Sequence, residues 1–162
     1  MRMYYDNGRF YAGDISFTLP DKCSIDLDFD VVPNGLLLHS LEHDYFDLGI
    51  GISHYEDDYK HDFQEQIEES SRQATFSDFT INNLDGFSAQ YTGMDGQSFE
   101  VVFPIRCAAA NTDDERKDDN SLSILIHVPS PHDLKAVLNL PFTRQLFSSL
   151  QREDSLLAKT KD

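Results

Sequence analysis

The segment SIDLDFDV, residues 24–31, alternates polar and apolar side chains without a break. This two-residue period is that of a β-strand with one dry face and one wet face. The wet face would carry Asp26, Asp28 and Asp30, with neighbouring carboxylates about 6.6–6.8 Å apart, the length of two strand rises. That spacing suits a row of Lys or Arg side chains, so we predict that these three residues bind a protein partner. A merely solvated strand face is the alternative interpretation.

The Asp-x-Asp-x-Asp pattern also begins a calcium-binding loop, but the rest of that motif is missing. An EF-hand needs Gly at its sixth position and Glu at its twelfth. Those positions hold Val31 and Leu37. The pattern therefore predicts a strand and no calcium site.

Further strands are predicted on both sides of this segment from alternating side chains and turn signals. Asn7-Gly8 predicts a hairpin within residues 4–12, and Asp85-Gly86 predicts a turn between two later strands. Residues 122–128 form the most apolar strand and are placed at the centre of the sheet. Pro104 indicates an edge strand or a bulge. The remaining predicted strands are 15–19, 36–41, 48–53, 79–82, 87–92 and 98–107.

Two regions have helical periodicity. Within residues 58–74, apolar side chains recur every four positions, and either Asp57 or Asp58 could cap the start, or Asp62 could begin a capping box. Ser130 and Pro131 predict a helix start as cap and first helical residue. Pro141 ends that turn and can begin another helix. Its apolar side is formed by Phe142, Leu146, Phe147 and Leu150.

These elements predict an α+β fold with a central antiparallel sheet of about six to seven strands flanked by helices. Connections between strands are mostly short, which is typical of antiparallel pairing. Each helix has one apolar stripe and must cover part of a sheet face. Helices on opposite faces would give an α/β/α sandwich. We predict one domain over residues 1–152 and a frayed tail at 153–162.

Three segments resemble the Mog1/PsbP-like superfamily. Residues 15–20, ISFTLP, are similar to its early strand ending in Leu-Pro, and 84–89, LDGFSA, to the strand after its central helix. Residues 142–150 are similar to its closing helix. The resemblance implies a central antiparallel sheet flanked by helices. It also implies non-enzymatic roles, in which the domain binds a protein partner or serves as an accessory subunit, and it implies no catalytic residue.

The charge of the 162-residue chain restricts its partners. It carries 29 acidic and 13 basic residues, a formal net charge of −16. This charge opposes binding to nucleic acid and to anionic membranes, whereas a protein with a basic patch would be attracted. Without an apolar leader or a membrane-spanning run, we expect a cytoplasmic protein. Cys23 and Cys107 lie in apolar runs and are expected to be buried thiols.

No catalytic, cofactor-binding or metal-binding residue can be assigned, because no nucleophile elbow, P-loop or zinc motif is present. One acidic cluster leaves an alternative open. The residue types in this cluster bind divalent ions and could serve a metal-dependent hydrolase. The cluster is His54, Glu56, Asp57, Asp58, His61 and Asp62. A third interpretation is an acidic inhibitor of the immunity-protein type. His127, within an apolar strand, is interpreted as a hydrogen-bonded structural histidine.

Overall fold

A computed structural model of the chain describes residues 3–26, 35–56, 58–71, 73–105 and 120–153. Two antiparallel sheets and three helices make up these residues. The strands are β1 Tyr4–Asp6, β2 Arg9–Ala12, β3 Ile15–Phe17, β4 Cys23–Asp26, β5 Gly35–Ser40, β6 Asp47–Ser53, β7 Ala74–Ile81, β8 Leu84–Thr92, β9 Gly96–Pro104, β10 Ser121–Pro129 and β11 Gln151–Arg152. The helices are α1 Tyr59–Ser70, α2 Leu134–Leu138 and α3 Pro141–Ser149.

The larger sheet has seven strands in the order β4-β5-β6-β10-β9-β8-β7, and each neighbouring pair is antiparallel. The predicted α+β class is thereby confirmed. The most apolar strand, β10, is the middle strand, as predicted. As the middle strand, β10 has no free edge. One of its faces is fully buried through Leu122, Ile124, Ile126 and Val128, whereas Ser123, Leu125 and His127 on the other face are half-buried.

The smaller sheet, with the order β1-β2-β3-β11, was not predicted as a separate sheet. The Asn7-Gly8 hairpin is confirmed, and both turn residues have the positive φ that such a turn requires. Glu153, the first residue of the predicted tail, donates its backbone N–H to the Asp14 carbonyl at 2.6 Å. Residues 154–162 lie outside the described part of the chain.

The helices cover opposite faces of the seven-stranded sheet, giving the expected α/β/α arrangement. Helix α1 buries Phe63 and Ile67 against Val102 and Ala89, in a small apolar cluster. Helices α2 and α3 pack on the other face, in a larger core that also includes Phe17 of the small sheet. No helix within the described residues is long and apolar enough to cross a membrane.

Asp58 caps helix α1, which settles the start that the sequence left open. Its Oδ1 accepts the backbone N–H of His61 at 3.2 Å. The predicted helix start at Ser130 and Pro131 was wrong. His132 N–H donates to the Pro129 carbonyl at 3.0 Å and closes a turn, so α2 begins only after Asp133. Pro141 does occupy the start of α3, as predicted.

The predicted turn at Asp85-Gly86 was also wrong. The chain turns at Asn82-Asn83, both with positive φ, and Gly86 lies inside β8 opposite Phe79 of β7. A Cβ on Gly86 would lie 2.6 Å from the Val102 carbonyl oxygen. Glycine is therefore required there for close packing and not for a turn.

Pro104 is neither on an edge strand nor at a bulge. It is the last residue of β9, which lies between β8 and β10, and is paired with Ser121. The register with β8 stops two residues earlier, at Val102. A proline is tolerated at this strand end because its missing N–H removes no bond from the ladder.

Candidate partner-binding face

One row of paired residues crosses all seven strands and shows which side chains share a face. Residues directly opposite each other in neighbouring strands point to the same side of the sheet. The row begins at exposed Asp26 on the β4 edge and ends at Phe76 in the cluster beneath α1. Asp26 therefore lies on the same face as helix α1. The row is Asp26, Leu37, Gly49, Leu125, Glu100, Ala89 and Phe76.

We call this side of the molecule the acidic face. Helix α1 covers it over β7 and β8, where its apolar residues pack. The outer surface of α1 then adds carboxylates to those of the strands. The acidic face is defined by Asp26, Asp47, Asp78 and Asp95 of the sheet and its turns, and by Asp62, Glu65, Glu68 and Glu69 of α1.

Positive charge is scarce on the acidic face. Of the Lys and Arg residues within the described ranges, Lys60 is the one located there, and its Nζ is 2.9 Å from Asp78 Oδ1. The others lie toward α2, α3 and the small sheet. They are Arg9, Lys22, Lys135, Arg144 and Arg152. The charge of the described residues is thus divided unevenly between the two sides of the sheet.

A group of polar residues lies in the middle of this face, beside α1. It consists of Glu100, Tyr55, Tyr91 and Asn120. Glu100 is half-buried on β9, and burial raises the pKa of its carboxyl from 4.5 to about 7. Burial, and then the Glu100 charge, raise the pKa values of Tyr55 and Tyr91. Asn120 positions Tyr55 by accepting its backbone N–H at 3.1 Å and donating to its carbonyl at 2.6 Å. These groups hold a carboxyl that is partly protonated at neutral pH.

Ser98, His127 and Asp95 form a chain of polar contacts next to Glu100. Ser98 Oγ lies 2.9 Å from His127 Nδ1, and His127 Nε2 lies 3.3 Å from Asp95 Oδ2. The arrangement contains the residue types of a nucleophile, a base and an orienting carboxylate. Ser98 is only 7% exposed, however, and Asp95 is on the surface.

We did not predict from the sequence that Glu100, Ser98, Tyr55 and Tyr91 form a group. A signal was present, because β9 alternates and its apolar positions Phe99, Val101 and Phe103 leave Ser98 and Glu100 on the opposite face. His127 was interpreted as a hydrogen-bonded strand histidine, and its contacts with Ser98 and Asp95 match that interpretation.

The predicted partner-binding residues are described only in part. Asp26 is exposed at the end of β4, whereas Asp28 and Asp30 lie outside the described residues. Ile25, expected on a dry face, is 42% exposed because β4 is an edge strand. Cys23 is half-buried, and burial raises the pKa of its thiol. Cys107 lies outside the described residues.

The acidic cluster at 54–62 does not converge on one point in the described residues. Asp58 caps α1, and Asp62 Oδ2 accepts the Glu56 backbone N–H at 3.0 Å. His61 Nε2 instead faces Glu65, 3.5 Å away along the helix. Within the described ranges, no group of three metal-ligating side chains is assembled.

No protein-family model and no curated protein matches the sequence. Solved structures resemble the fold. One is a crystal structure from Bacteroides thetaiotaomicron VPI-5482, with a TM-score of 0.50 and 12% identity, covering 91% of this chain and 48% of that one. This chain thus spans about half the length of that protein. Another is LpqN, involved in cell envelope biogenesis of Mycobacterium tuberculosis, with a TM-score of 0.50 and 8% identity, covering 85% and 82% of the two chains. At these identities, the likeness is one of fold.

Proposed function

We propose that this protein is a non-enzymatic interaction domain whose acidic face binds a protein partner with a basic patch. The observation that carries the proposal is the separation of charge. Carboxylates of β4, β6 and α1 share one side of the sheet, whereas five of the six described Lys and Arg residues lie toward the other side. A surface of one sign attracts an oppositely charged partner and raises its association rate.

The geometry of the acidic face suits a partner whose binding surface is extended or forms a ridge. The edge strand with Asp26 and the helix with Glu65 lie at opposite ends of the sheet face. Strand spacing places the two edges of a seven-stranded sheet roughly 29 Å apart. Basic side chains over that distance could contact both ends. The resemblance to the Mog1/PsbP-like superfamily supports the same role, since it implies partner binding or accessory functions.

Affinity capture from native lysate tests the proposal when three matched variants are compared with the wild type. The edge-strand variant neutralises Asp26 of β4 together with the other two residues predicted from the sequence (Asp26→Asn, Asp28→Asn, Asp30→Asn). The helix variant neutralises α1 (Glu65→Gln, Glu68→Gln, Glu69→Gln). The control removes the same charge elsewhere (Asp6→Asn, Asp44→Asn, Asp133→Asn). These control residues belong to the small sheet, to the turn preceding β6 and to the start of α2.

We expect a captured protein that the edge-strand or helix variant loses and the control variant retains. Its capture should also weaken as salt is raised, because exposed charge pairs are screened. Equal recovery with all four proteins would contradict the proposal. Equal loss with the face variants and the control would show that net charge alone attracts the partner, and would also contradict a specific acidic face.

The chain of Ser98, His127 and Asp95 supports a second candidate function, an esterase-type hydrolase. The 2.9 Å contact between hydroxyl and imidazole is within the range of an activated nucleophile. The burial of Ser98 places this candidate second. Hydrolysis of p-nitrophenyl acetate and labelling by a fluorophosphonate would both be lost in Ser98→Ala and kept in Ser123→Ala. Wild-type protein without either signal would eliminate this candidate.

A further inference from the structure

A groove lies on the side of the sheet opposite the acidic face, between β7–β8 and helices α2–α3. Its volume is about 350 Å³, near the lower end of the range for small-molecule sites. Apolar side chains from strands and helices form most of its lining. The apolar members are Phe79, Ile81, Phe99, Leu138 and Phe147.

Three phenylalanine rings form the floor of the groove. The Phe79 ring centroid lies 5.8 Å from that of Phe99 and 5.9 Å from that of Phe147. Phe99 and Phe147 are buried, whereas Phe79 is half-buried and so is Leu138 at the margin. An apolar ligand would remove this remaining surface from water, which favours binding.

Most polar groups of the lining are already engaged within the protein. Ser77 Oγ and Ser88 Oγ are 3.2 Å apart, and Thr143 Oγ1 donates to the Val137 carbonyl at 2.7 Å. These hydroxyls therefore have partners before any ligand enters. The apolar part of a ligand would therefore contact a surface that needs few hydrogen bonds from it.

Arg144, the charged group of the lining, is not engaged in this way. It is exposed at the margin, and its Nη2 makes one long contact, 3.5 Å to Asn139 Oδ1. It is the only charged residue among the described residues that line the groove, and no carboxylate lines it. In a chain of net charge −16, a groove with a single guanidinium and no acid favours an anionic head group.

We propose that this groove binds a medium-chain fatty acid. The alkyl chain lies on the floor of Phe79, Phe99 and Phe147, and the carboxylate pairs with the Arg144 guanidinium. This site is independent of the acidic face, because it lies on the other side of the sheet. Its failure would leave the proposed partner binding untouched.

Protein-observed NMR titrations with octanoate and with octan-1-ol at pH 8 test the proposal. The two probes have the same alkyl chain and differ in the carboxylate. We expect saturable shifts of the Ile81 and Leu138 methyl signals with both, and roughly five-fold tighter binding of octanoate, as for one exposed ion pair. Arg144→Gln should remove this preference, whereas Lys135→Gln, which removes an equal charge outside the groove, should keep it.

Ser77→Trp supplies a steric test, because its indole would occupy the groove and should abolish binding of both probes. Ser77 is exposed on an edge strand, and Gln90→Trp is a second blocking variant in case the first does not fold. The proposal is overturned by the absence of saturable octanoate shifts in the wild type. It is equally overturned if Arg144→Gln and Lys135→Gln weaken octanoate binding alike, or if folded blocking variants bind as the wild type does.

Discussion

The two faces of strand β9 show how differently the two sides of the large sheet are built. Toward α2 and α3, the strand presents Phe99, Val101 and Phe103, all buried in the larger core. Toward α1, it presents Ser98 and Glu100 before Val102 enters the smaller cluster. The first side supplies most of the apolar burial, whereas the second carries the half-buried carboxyl of Glu100 and the contact chain of Ser98, His127 and Asp95. Stability is therefore concentrated on one face, and the other is available for charge.

The largest expected effect comes from removing a buried side chain on the face toward α2 and α3. Phe103→Ala removes a fully buried ring that packs on Phe79 and closes over Gly86, and should lower the free energy of unfolding by about 3–5 kcal/mol. Phe76→Ala, beneath α1, removes a half-buried ring and should cost about 1–2 kcal/mol. Urea unfolding followed by circular dichroism compares the two. Equal losses would contradict the unequal division of stability between the faces.

A second prediction concerns the carboxyl of Glu100, on the face toward α1. Since burial raises the pKa of Glu100 to about 7, the folded state binds more protons than the unfolded state between pH 4.5 and 7. Its contribution to stability is thus fully present below pH 4.5 and is lost as the pH rises through 7. Glu100→Gln should stabilise the protein by on the order of 2–3 kcal/mol at pH 8, and have little effect at pH 4.

The measurement for Glu100 is the difference in unfolding free energy between wild type and variant, taken at several pH values. Comparing the two proteins at each pH cancels the titration of the many exposed carboxylates. Glu42→Gln, at an exposed position, is the control. Its unfolding free energy relative to the wild type should not increase between pH 5 and 8. A Glu100→Gln difference that is flat with pH would mean that the Glu100 carboxyl is solvated as an ordinary surface group.

Local patterns in the sequence were sufficient for most elements of the fold. The Asn7-Gly8 hairpin, the central position of residues 122–128 and the start of α3 at Pro141 all follow from short-range rules. The error at Asp85-Gly86 has a physical cause. Glycine serves both turns and close contacts, and only the close approach of Val102 and Phe103 to Gly86 reveals which one applies.

The candidate sites depended on contacts that no local pattern encodes. The row that places Asp26 on the α1 face passes through pairings between β6 and β10 and between β10 and β9, whose partners are far apart in sequence. Arg144 and Phe79 belong to segments predicted separately, and only the packing of α3 against the sheet brings them to one groove. Charge composition could predict a basic partner, but it could not predict which residues share a face.

The smallest predicted effect compares the helices that cover the two faces. Asp58 caps α1 through its side chain, so Asp58→Ala should cost about 1 kcal/mol of stability. Asp133 occupies the same position before α2 without a side-chain capping bond, so Asp133→Ala should change stability by less than about 0.5 kcal/mol. Thermal and urea unfolding of the two variants measure the contrast. Because α1 is held by the smaller apolar cluster, losing its cap should lower the unfolding free energy more than losing that of α2. A larger loss in Asp133→Ala than in Asp58→Ala would contradict this prediction.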